Sequence, residues 1–329
     1  IFMPRITLQR LYIALMGVEE AVYALYDYPE TVEEYFRNSQ ALLAKTEQDS
    51  LTGLLNKDAA RRRIGNYLSH AGADQLAAML IIDLDNFKQV NETQEENIRK
   101  AAALMTDAIA GDRLISVYGG GGHTTLCMGE MFFRAGGLSC INPIMETGLS
   151  VFNQALKYLE LERTVNYGSA IMKYYDLKKD DLLIIFHNIG INPATIDAAM
   201  EAKKNGVKII AVSSEAWQKE MPLDHFIRHP NKTNLNDYAD VCIDDYNIVG
   251  DAVIEIEGFD TPIAPVSNIV DFYIAHMLEI ECVKECQRRG ITAPCWSSAN
   301  TPGGDEKNAA YLAKYSPRIK MLYDIYHQH

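Results

Sequence analysis

The sequence predicts an α/β protein with a doubly wound parallel sheet and a mainly helical N-terminal extension. Between Thr93 and Tyr323, apolar runs of strand length alternate with helix-patterned segments, which is the order of βαβ units. The runs are rich in Ile, Leu and Val with few polar interruptions, as expected of strands buried on both faces. The first run leads into four glycines, Gly119 to Gly122, and then into a helix-like segment. Such a turn favours an anion, because backbone N–H groups and the helix dipole meet at the helix start.

Five strands are predicted from the apolar runs. Parallel strands bind ligands beyond their carboxyl ends, near the point where the strand order reverses. The turns after these strands are therefore the expected ligand site. The predicted strands are Leu114–Tyr118, Leu182–Phe186, Val207–Val212, Val241–Asp244 and Val253–Ile256.

Five helices are predicted before, between and after these strands. Pro193 suits a first helical position, since its missing N–H leaves no helix bond unmade there. The segment from Asn268 carries an apolar stripe at helical spacing. The predicted helices are Gln94–Ala110, Thr125–Arg134, Pro193–Asn205, Asn268–Arg289 and Asp305–Lys314.

Composition limits the partners and the compartment. The chain has 329 residues, with 31 Lys and Arg against 44 Asp and Glu, for a net charge of -13. This charge disfavours nucleic acid and anionic membranes as partners, and an anion site must depend on backbone amides and a few placed cations. The six cysteines contain no CxxC pair, which indicates free thiols and a cytoplasmic location. The apolar start of the chain is too short and too charged for a membrane span.

Residues 1–48 are predicted to form a helical N-terminal segment. Its most distinctive stretch is ALYDYPETVEEYF, where Pro29 and Thr31 mark a helix start. This stretch resembles the LYDxPExVxxxF segment of uroporphyrinogen decarboxylase-like methyltransferases. It carries none of that family's chemistry, and a plain helical hairpin is the alternative interpretation.

Residues 49–92 show a different pattern, with DSLTGLLNK followed by AAMLIIDLDNFKQVN. These motifs resemble the opening of a diguanylate cyclase (GGDEF) domain. The resemblance implies a magnesium ligand at Asp83 and a guanine nucleotide contact at Asn91, and it stops there. A second GGDE string, at residues 303–306, is expected in a loop before a helix with no flanking strand pair, and is interpreted as a coincidence. The fragment is therefore not expected to be a functional cyclase.

Residues 93–323 carry a third set of motifs: TQEENIRKAA, FFRAGGLSCINPI, DAAMEAKKNG, RHPNKTNLNDYADVCIDD, GDAVIEIEG and SANTPGGDEKN. Together they resemble the SIS (sugar isomerase) domain, and most of all stand-alone bacterial SIS proteins. The resemblance implies a flavodoxin-like sheet, a phosphorylated sugar as ligand, a homodimer, and no metal or other cofactor. Residues 324–329 are predicted to form a tail.

The ligand loops depart from the pattern of this family. Its members read GTGHS and SNSGRN, where small hydroxyl side chains bond the sugar phosphate. In this chain the first loop ends in His123 and Thr124, and Thr124 can replace the serine hydroxyl. In the second loop His187 and Ile189 replace hydroxyls and Ile191 replaces the arginine, so backbone donors are expected to carry more of the binding. The predicted ligand-binding residues are Gly120, Gly121, Gly122, Thr124, His187, Asn188, Gly190, Asn192, Ser213 and Ser214.

Three residues are candidates for catalysis. The resemblance places Glu130 at the general base of sedoheptulose-phosphate-type SIS isomerases, and a helix-capping carboxylate is the alternative. His123 can donate to a phosphate or move a proton, or simply order its loop. The resemblance implies that the helix carrying His276 packs against the partner subunit in SIS dimers. From there His276 can act as an acid or base across the interface. The alternative is a histidine of the core or of the interface with no catalytic role.

The predicted function is phosphosugar binding by a homodimer, with aldose–ketose isomerisation. In that reaction a carboxylate moves a proton between adjacent carbons through an ene-diolate, and fixed donors stabilise its charge. Glu130 is the expected base, and His123 or His276 the acid. The alternative is a non-catalytic sugar-phosphate sensor or regulatory module, which the lost hydroxyls favour. Both interpretations require the turns near Gly121 and Gly190 to converge on one pocket.

Overall fold

The structure is a computed structural model that describes residues 85–323, together with residues 59, 62, 63 and 66. The predictions for residues 1–48 and for the tail 324–329 lie outside these described residues. So does most of the cyclase-like segment up to residue 84, Asp83 included. The sheet and the helices around it belong to the second of the chain's two structural units, residues 82–329.

Seven strands and eight α-helices lie within residues 85–323. The strands are β1 (Ile115–Gly119), β2 (Ile141–Pro143), β3 (Leu182–Phe186), β4 (Lys208–Ser213), β5 (Val241–Asp244), β6 (Ala252–Ile256) and β7 (Phe259–Pro265). The helices are α1 (Asp85–Ala110), α2 (Thr125–Met131), α3 (Ala155–Glu162), α4 (Tyr167–Tyr175), α5 (Pro193–Lys204), α6 (Glu215–Glu220), α7 (Ser267–Arg288) and α8 (Gly304–Tyr315). Short 3-10 turns lie at Thr147–Leu149, Leu235–Asp237 and Lys320–Leu322.

The first five strands form one parallel sheet in the order β2-β1-β3-β4-β5. Val117 of β1 lies opposite Ile184 of β3, and Ile184 lies opposite Ile210 of β4. The chain moves outward from β1 to β2 and then returns to the other side of β1 for β3, so the strand order reverses between β1 and β3. This arrangement confirms the predicted doubly wound sheet.

The strand side chains alternate between two apolar cores, one on each face of the sheet. Val117 and Ile184 belong to the core that also contains buried residues of α1, α2 and α7. Tyr118 and Ile185 belong to the other core, with buried residues of α4 and α5. Because both faces of the sheet are covered, these strands are apolar at nearly every position.

Small residues let the helices of each layer approach closely. On one face, the buried Thr106 of α1 donates to the Ala102 carbonyl at 2.9 Å and lies 3.4 Å from the Cys282 carbonyl of α7. On the other face, a Cβ at Gly168 of α4 would lie 1.9 Å from the Ala194 carbonyl oxygen of α5. Only glycine fits at that crossing. All six cysteines, including the buried Cys282, are free thiols.

One predicted strand is not part of the sheet. The run placed at Val253–Ile256 forms β6, which pairs antiparallel with β7 in a separate two-stranded ribbon. The prediction that it extends the parallel sheet is wrong. A turn at Gly258, with φ of 79°, reverses the chain directly after β6, whereas a parallel neighbour requires a longer crossover.

Two helices, α1 and α8, begin before their predicted first residues. Helix α1 begins at Asp85 rather than Gln94 and runs unbroken across the predicted boundary between residues 92 and 93. The GGDE string lies where α8 begins: Gly303 has φ of 76°, and a Cβ at Gly304 would lie 2.0 Å from the Ser298 carbonyl oxygen. The string therefore forms the N-cap and first turn of α8, so the prediction that it lies in a loop before the helix is wrong, although no strand pair flanks it. No helix within residues 85–323 is long and apolar enough to cross a membrane.

Candidate functional site

The turns after β1 and β3 converge on one cavity of about 310 Å³. They are brought together because β1 and β3 are neighbours where the strand order reverses, and the Gly120 N–H donates to the Phe186 carbonyl at 3.1 Å. The two turns therefore share a pocket, although Gly121 lines it and Gly190 does not. The cavity is lined by Gly121, Gly122, His123, Thr124, Tyr158, Leu159, Glu162, Arg163, His187, Asn188, Ile189, Asn192, Trp217, Ile227, Asp251, Ser267 and Asn268.

The glycines of the first turn are required by close neighbours. A Cβ at Gly120 would lie 2.0 Å from Thr195 Oγ1, and one at Gly121 would lie 2.4 Å from Glu162 Oε2. Gly122 has φ of 53° and lies against the Tyr158 ring. Side chains from α3 and α5 therefore pack directly on the turn backbone.

The N–H groups of these glycines are already hydrogen-bonded within the protein. Besides the Gly120 bond, Gly121 donates to Thr124 Oγ1 at 3.3 Å and Gly122 donates to the Leu149 carbonyl at 2.9 Å. The Thr124 hydroxyl in turn donates to the Gly121 carbonyl at 2.7 Å. In this structure Gly121, Gly122 and Thr124 line the cavity and Gly120 does not, and the bonded N–H groups fix the turn rather than offering free donors.

The second turn is ordered by a neutral histidine. The Gly190 N–H donates to Nδ1 of His187 at 2.9 Å, so the neutral ring carries its proton on Nε2. Burial lowers the pKa of His187 to about 4, which keeps the ring uncharged at neutral pH. Asn188 and Ile189 line the cavity beside it, whereas Gly190 does not.

The start of α5 faces the cavity without a side-chain cap. Asn192 is the N-cap residue, yet its side chain makes no capping bond. Its Nδ2 instead donates to Glu162 Oε1 at 3.1 Å, and its buried Oδ1 has no partner in the described part of the chain. An uncapped helix start retains its attraction for an anion.

Glu162 is the buried carboxyl group of the site. It is the last residue of α3, and its side chain is almost fully buried beside Gly121 and Asn192. Burial raises the pKa of Glu162 to about 7, although Arg163 and the Asn192 bond act in the opposite direction. The group therefore holds and releases a proton near neutral pH, which general acid–base chemistry requires.

Arg163 brings a cation to the cavity wall. Its guanidinium lies 5.1 Å from the centre of the Phe226 ring. Sequence analysis missed both Arg163 and Glu162 because no helix was assigned to their segment. The available signal was the spacing of Tyr158 and Glu162, four residues apart on one helix face, where both contact the glycine turn.

Unpaired polar atoms cluster around the cavity. Within residues 85–323, four of its lining residues each have one buried side-chain atom without a hydrogen-bond partner: Arg163 Nε, Asn192 Oδ1, Trp217 Nε1 and Asn268 Oδ1. Such an atom costs about 1–3 kcal/mol when left unpaired. Two are donors and two are acceptors, so a ligand with hydroxyl groups complements the set.

Glu130 and His276 lie outside the cavity and contact each other. Glu130 Oε1 on α2 lies 3.1 Å from His276 Nε2 on α7, while His276 Nδ1 is 3.5 Å from Glu279 Oε2. These carboxylates raise the pKa of His276, the Glu279 bond most of all. His123 does line the cavity and is exposed there, so the structure separates it from the other two candidates.

Ser213 and Ser214 also lie outside the cavity. Ser213 Oγ donates to Asn236 Oδ1 at 2.9 Å, and Ser214 Oγ accepts the Trp217 N–H, which caps α6. Both hydroxyls therefore have structural partners. The element that follows β4 reaches the cavity through Trp217 instead.

Arg228 ties the loop from Met221 to Asn234 together through several hydrogen bonds. The buried Arg228 donates to the carbonyls of Gln218 and Met221 and to Asn234 Oδ1. Ile227 of this loop lines the cavity. Among the residues that the structure describes, no group of three His, Cys, Asp or Glu side chains is arranged to hold a metal ion.

Two family models match the chain. The SIS domain model matches residues 84–214, and the GGDEF diguanylate cyclase model matches residues 46–120. Full-length relatives are UPF0309 proteins. That of Thermoanaerobacter pseudethanolicus is 33% identical over 239 residues, covering 71% of this chain and 95% of the relative. That of Caldanaerobacter subterraneus is 32% identical over 237 residues, with 71% and 95% covered.

Two solved structures are also similar. A phosphoheptose isomerase from Neisseria gonorrhoeae matches with a TM-score of 0.40 and 12% identity, covering 70% of this chain and 99% of that one. A phosphoheptose isomerase from Francisella tularensis matches with a TM-score of 0.39 and 11% identity, covering 70% and 100%.

Proposed function

Because the chain belongs to the UPF0309 family and carries a SIS domain, we propose that its cavity binds a phosphorylated sugar. The observation that carries this proposal is the meeting of the β1 turn, the β3 turn and the uncapped start of α5 at one cavity. Its position, where the strand order reverses, is where open α/β sheets bind ligands. Its volume of about 310 Å³ is in the range of small-molecule sites.

The phosphate is proposed to bind between Arg163 and the start of α5. The sequence lacks an arginine in the second loop, where Ile191 stands. Arg163 brings a guanidinium to the same cavity from α3, and its unpaired Nε is one donor for a phosphate oxygen. The positive end of the α5 dipole adds to this attraction.

The sugar hydroxyls are proposed to bind the unpaired polar atoms on the remaining wall. Trp217 Nε1 is a donor and Asn268 Oδ1 is an acceptor, and each lacks a partner within the described residues. A hydroxyl group can serve either atom, because it both donates and accepts. The substrate class that follows is a small polyol or sugar with one phosphoryl group.

Glu162 is the proposed general base for aldose–ketose isomerisation. Its carboxylate would take the proton from the carbon next to the carbonyl, and the C–H electrons would form the ene-diolate double bond as the carbonyl oxygen becomes negative. The protonated carboxyl would then return the proton to the neighbouring carbon. A pKa of about 7 suits both steps. His123, exposed at the cavity, would give a proton to this carbonyl oxygen and then take the proton of the hydroxyl on the carbon that Glu162 first deprotonated, whose oxygen becomes the new carbonyl.

Glu130 and His276 form a second proposed acid–base pair. Their 3.1 Å contact favours proton exchange between them, but they lie outside the cavity of their own chain. They would act only in a site completed by another chain.

We also propose a cytoplasmic homodimer. The six free cysteines suit a reducing compartment. The β6–β7 ribbon leaves Ile254 and Phe259 48% and 58% exposed, and apolar surface of this kind marks protein contacts. Light scattering of the purified protein measures the oligomeric state directly.

Thermal denaturation with a panel of sugar phosphates tests the ligand class. A bound ligand raises the melting temperature by mass action, and the matching unphosphorylated sugars serve as controls. Stabilisation by a sugar phosphate and not by its sugar supports the proposal. No stabilisation at millimolar concentration by any member of the panel would contradict it.

A further inference from the structure

A second cleft lies at the opposite end of the sheet from the proposed sugar-phosphate site. It has a volume of about 260 Å³ and lies at the amino ends of β1 and β3. We call it the basal cleft. Its lining residues include Arg113, Ser116, Asn142, Tyr175 and Lys320.

The floor of the basal cleft holds an unpaired acceptor. Asn142 of β2 is only 7% exposed, and its Nδ2 donates to Ser116 Oγ of β1 at 3.1 Å. Its Oδ1 has no partner within the described residues. The Ser116 oxygen accepts the Asn142 bond, so its own proton is available to a ligand. One acceptor and one donor therefore lie side by side at the bottom of the cleft.

The rim of the basal cleft carries two cations without a carboxylate partner. No Asp or Glu oxygen of the described residues lies within ion-pair distance of Arg113 or Lys320, whereas Arg318 pairs with Asp112 at 3.1 Å. Arg113 donates to the Asp107 carbonyl at 3.2 Å, and its buried Nε is unpaired. Lys320 donates to the Tyr174 carbonyl at 2.9 Å and lies 4.7 Å from the Tyr175 ring centre.

Two of the three acidic residues of the basal cleft are paired with cations. Asp112 is bonded to Lys314 at 2.7 Å as well as to Arg318, and these bonds lower the pKa of Asp112. Asp176 lies 2.6 Å from Lys178 Nζ, whereas Asp181 accepts only the backbone N–H of Lys178, at 2.7 Å, and keeps its charge. Arg113 and Lys320 outnumber this one carboxylate, so the charge left for a ligand is positive.

We propose that the basal cleft binds a small hydroxylated anion. Its anionic group would lie against Arg113 and Lys320, and its hydroxyl group would donate to Asn142 Oδ1. This site is independent of the proposed sugar-phosphate cavity, because the two share no lining residue.

Malate and succinate test this proposal, because they differ by one hydroxyl group. Calorimetric titrations would use the Arg163→Gln variant, in which the other cavity has lost its cation. Malate is expected to bind about fivefold more tightly than succinate, the value of one added hydrogen bond. Asn142→Leu should remove that difference, and Arg113→Gln should weaken both ligands. Arg99→Gln removes an equal charge at an exposed, distant position and should change neither.

A measurement on the unaltered protein tests the proposal even if a variant fails to fold. In an arginine side-chain NMR spectrum, the Nε–H signal of Arg113 should shift on addition of malate to the unaltered protein. Equal affinity for malate and succinate, binding unaffected by Arg113→Gln, or an unmoved Arg113 signal would each overturn the proposal. Sugar-phosphate binding, which depends on Arg163, would be unaffected by these outcomes.

Discussion

Glu162 Oε1 accepts a hydrogen bond from Asn192 Nδ2 at 3.1 Å, joining the end of α3 to the start of α5. The same bond orients the Asn192 side chain so that its Oδ1 makes no capping bond to α5, which leaves the helix start uncapped beside the cavity. One contact thus places a carboxyl group of raised pKa beside an anion-attracting helix end. The two features on which the proposed isomerisation depends are adjacent for this reason.

Replacing Glu162 by Gln should stabilise the fold at high pH. The pKa is about 7 in the folded protein against 4.5 ordinarily, so both states are protonated at low pH and the group contributes nothing there. As pH rises from 4.5 to 7 the unfolded chain loses its proton first, and stability falls. At pH 8 the loss amounts to about 3 kcal/mol.

Urea unfolding of Glu162→Gln and wild type at pH 5 and pH 8 measures this effect. The variant should gain most at pH 8 and little at pH 5. Glu160→Gln, an exposed position on the same helix, is the control and should show no such pH dependence. A gain of equal size at both pH values would show that the carboxyl is not held neutral by burial.

Glu162→Gln should also abolish proton transfer while leaving binding intact. Loss of a general base typically lowers the rate by about 10²–10⁴-fold. Exchange of solvent deuterium into a bound sugar phosphate, followed by NMR, reports the step directly. Glu130→Gln is the matched control variant. If deuterium exchange is lost in Glu130→Gln but kept in Glu162→Gln, the general base is Glu130 and not Glu162.

Wild-type protein that binds the sugar phosphate but exchanges no deuterium would favour the non-catalytic sensor instead. This outcome separates the ligand class from the reaction. It would leave the cavity and its phosphate contacts unchanged and remove only the isomerase activity from the proposal.

A methyl group at Gly121 should disturb the site more than the fold. The added Cβ would lie 2.4 Å from Glu162 Oε2, the mobile end of that side chain, so Gly121→Ala should push the carboxylate away from Asn192. Exchange activity should fall while the far-ultraviolet circular dichroism spectrum stays the same.

Gly129→Ala is the control for the Gly121 variant. Nothing lies within 4 Å of a Cβ at Gly129, which is inside α2, so this change should stabilise the helix by about 0.5–1 kcal/mol and leave activity unaltered. Equal activity in the two variants would argue that Glu162 has no role at the glycine turn.

The sheet and the pocket position could be predicted from sequence because each depends on local signals. Continuous apolar runs identified four of the five sheet strands, and the glycine turn identified the ligand loop. The fifth, β2, is the three-residue run Ile141–Pro143, too short to carry a pattern. The run at Val253 does form a strand, but the turn at Gly258 pairs it with β7 instead of with the sheet.

The side chains of the site were harder to predict, because tertiary contacts select them. Glu162 and Arg163 reach the cavity only because α3 packs over the glycine turn, in a segment where no helix was assigned. Ser213 and Ser214 had suitable hydroxyls at a strand end, yet Asn236 and the start of α6 engage them. The loops could be predicted from residue type, but the side chains that line the cavity depend on how the helices pack.

Arg163 should be the main determinant of phosphate affinity. Arg163→Gln removes the one arginine side chain lining the cavity, among the residues that the structure describes, and charged hydrogen bonds contribute about 1.5–3 kcal/mol. Affinity for the sugar phosphate should therefore fall about 10- to 100-fold, while the weak affinity for the unphosphorylated sugar stays constant. Lys157→Gln removes an equal charge from an exposed position on the same helix and should have little effect. Calorimetry at two salt concentrations measures these affinities. An equal loss of sugar-phosphate affinity in both variants would mean that Arg163 acts only by long-range attraction. A loss confined to Arg163→Gln identifies a direct contact with the phosphate.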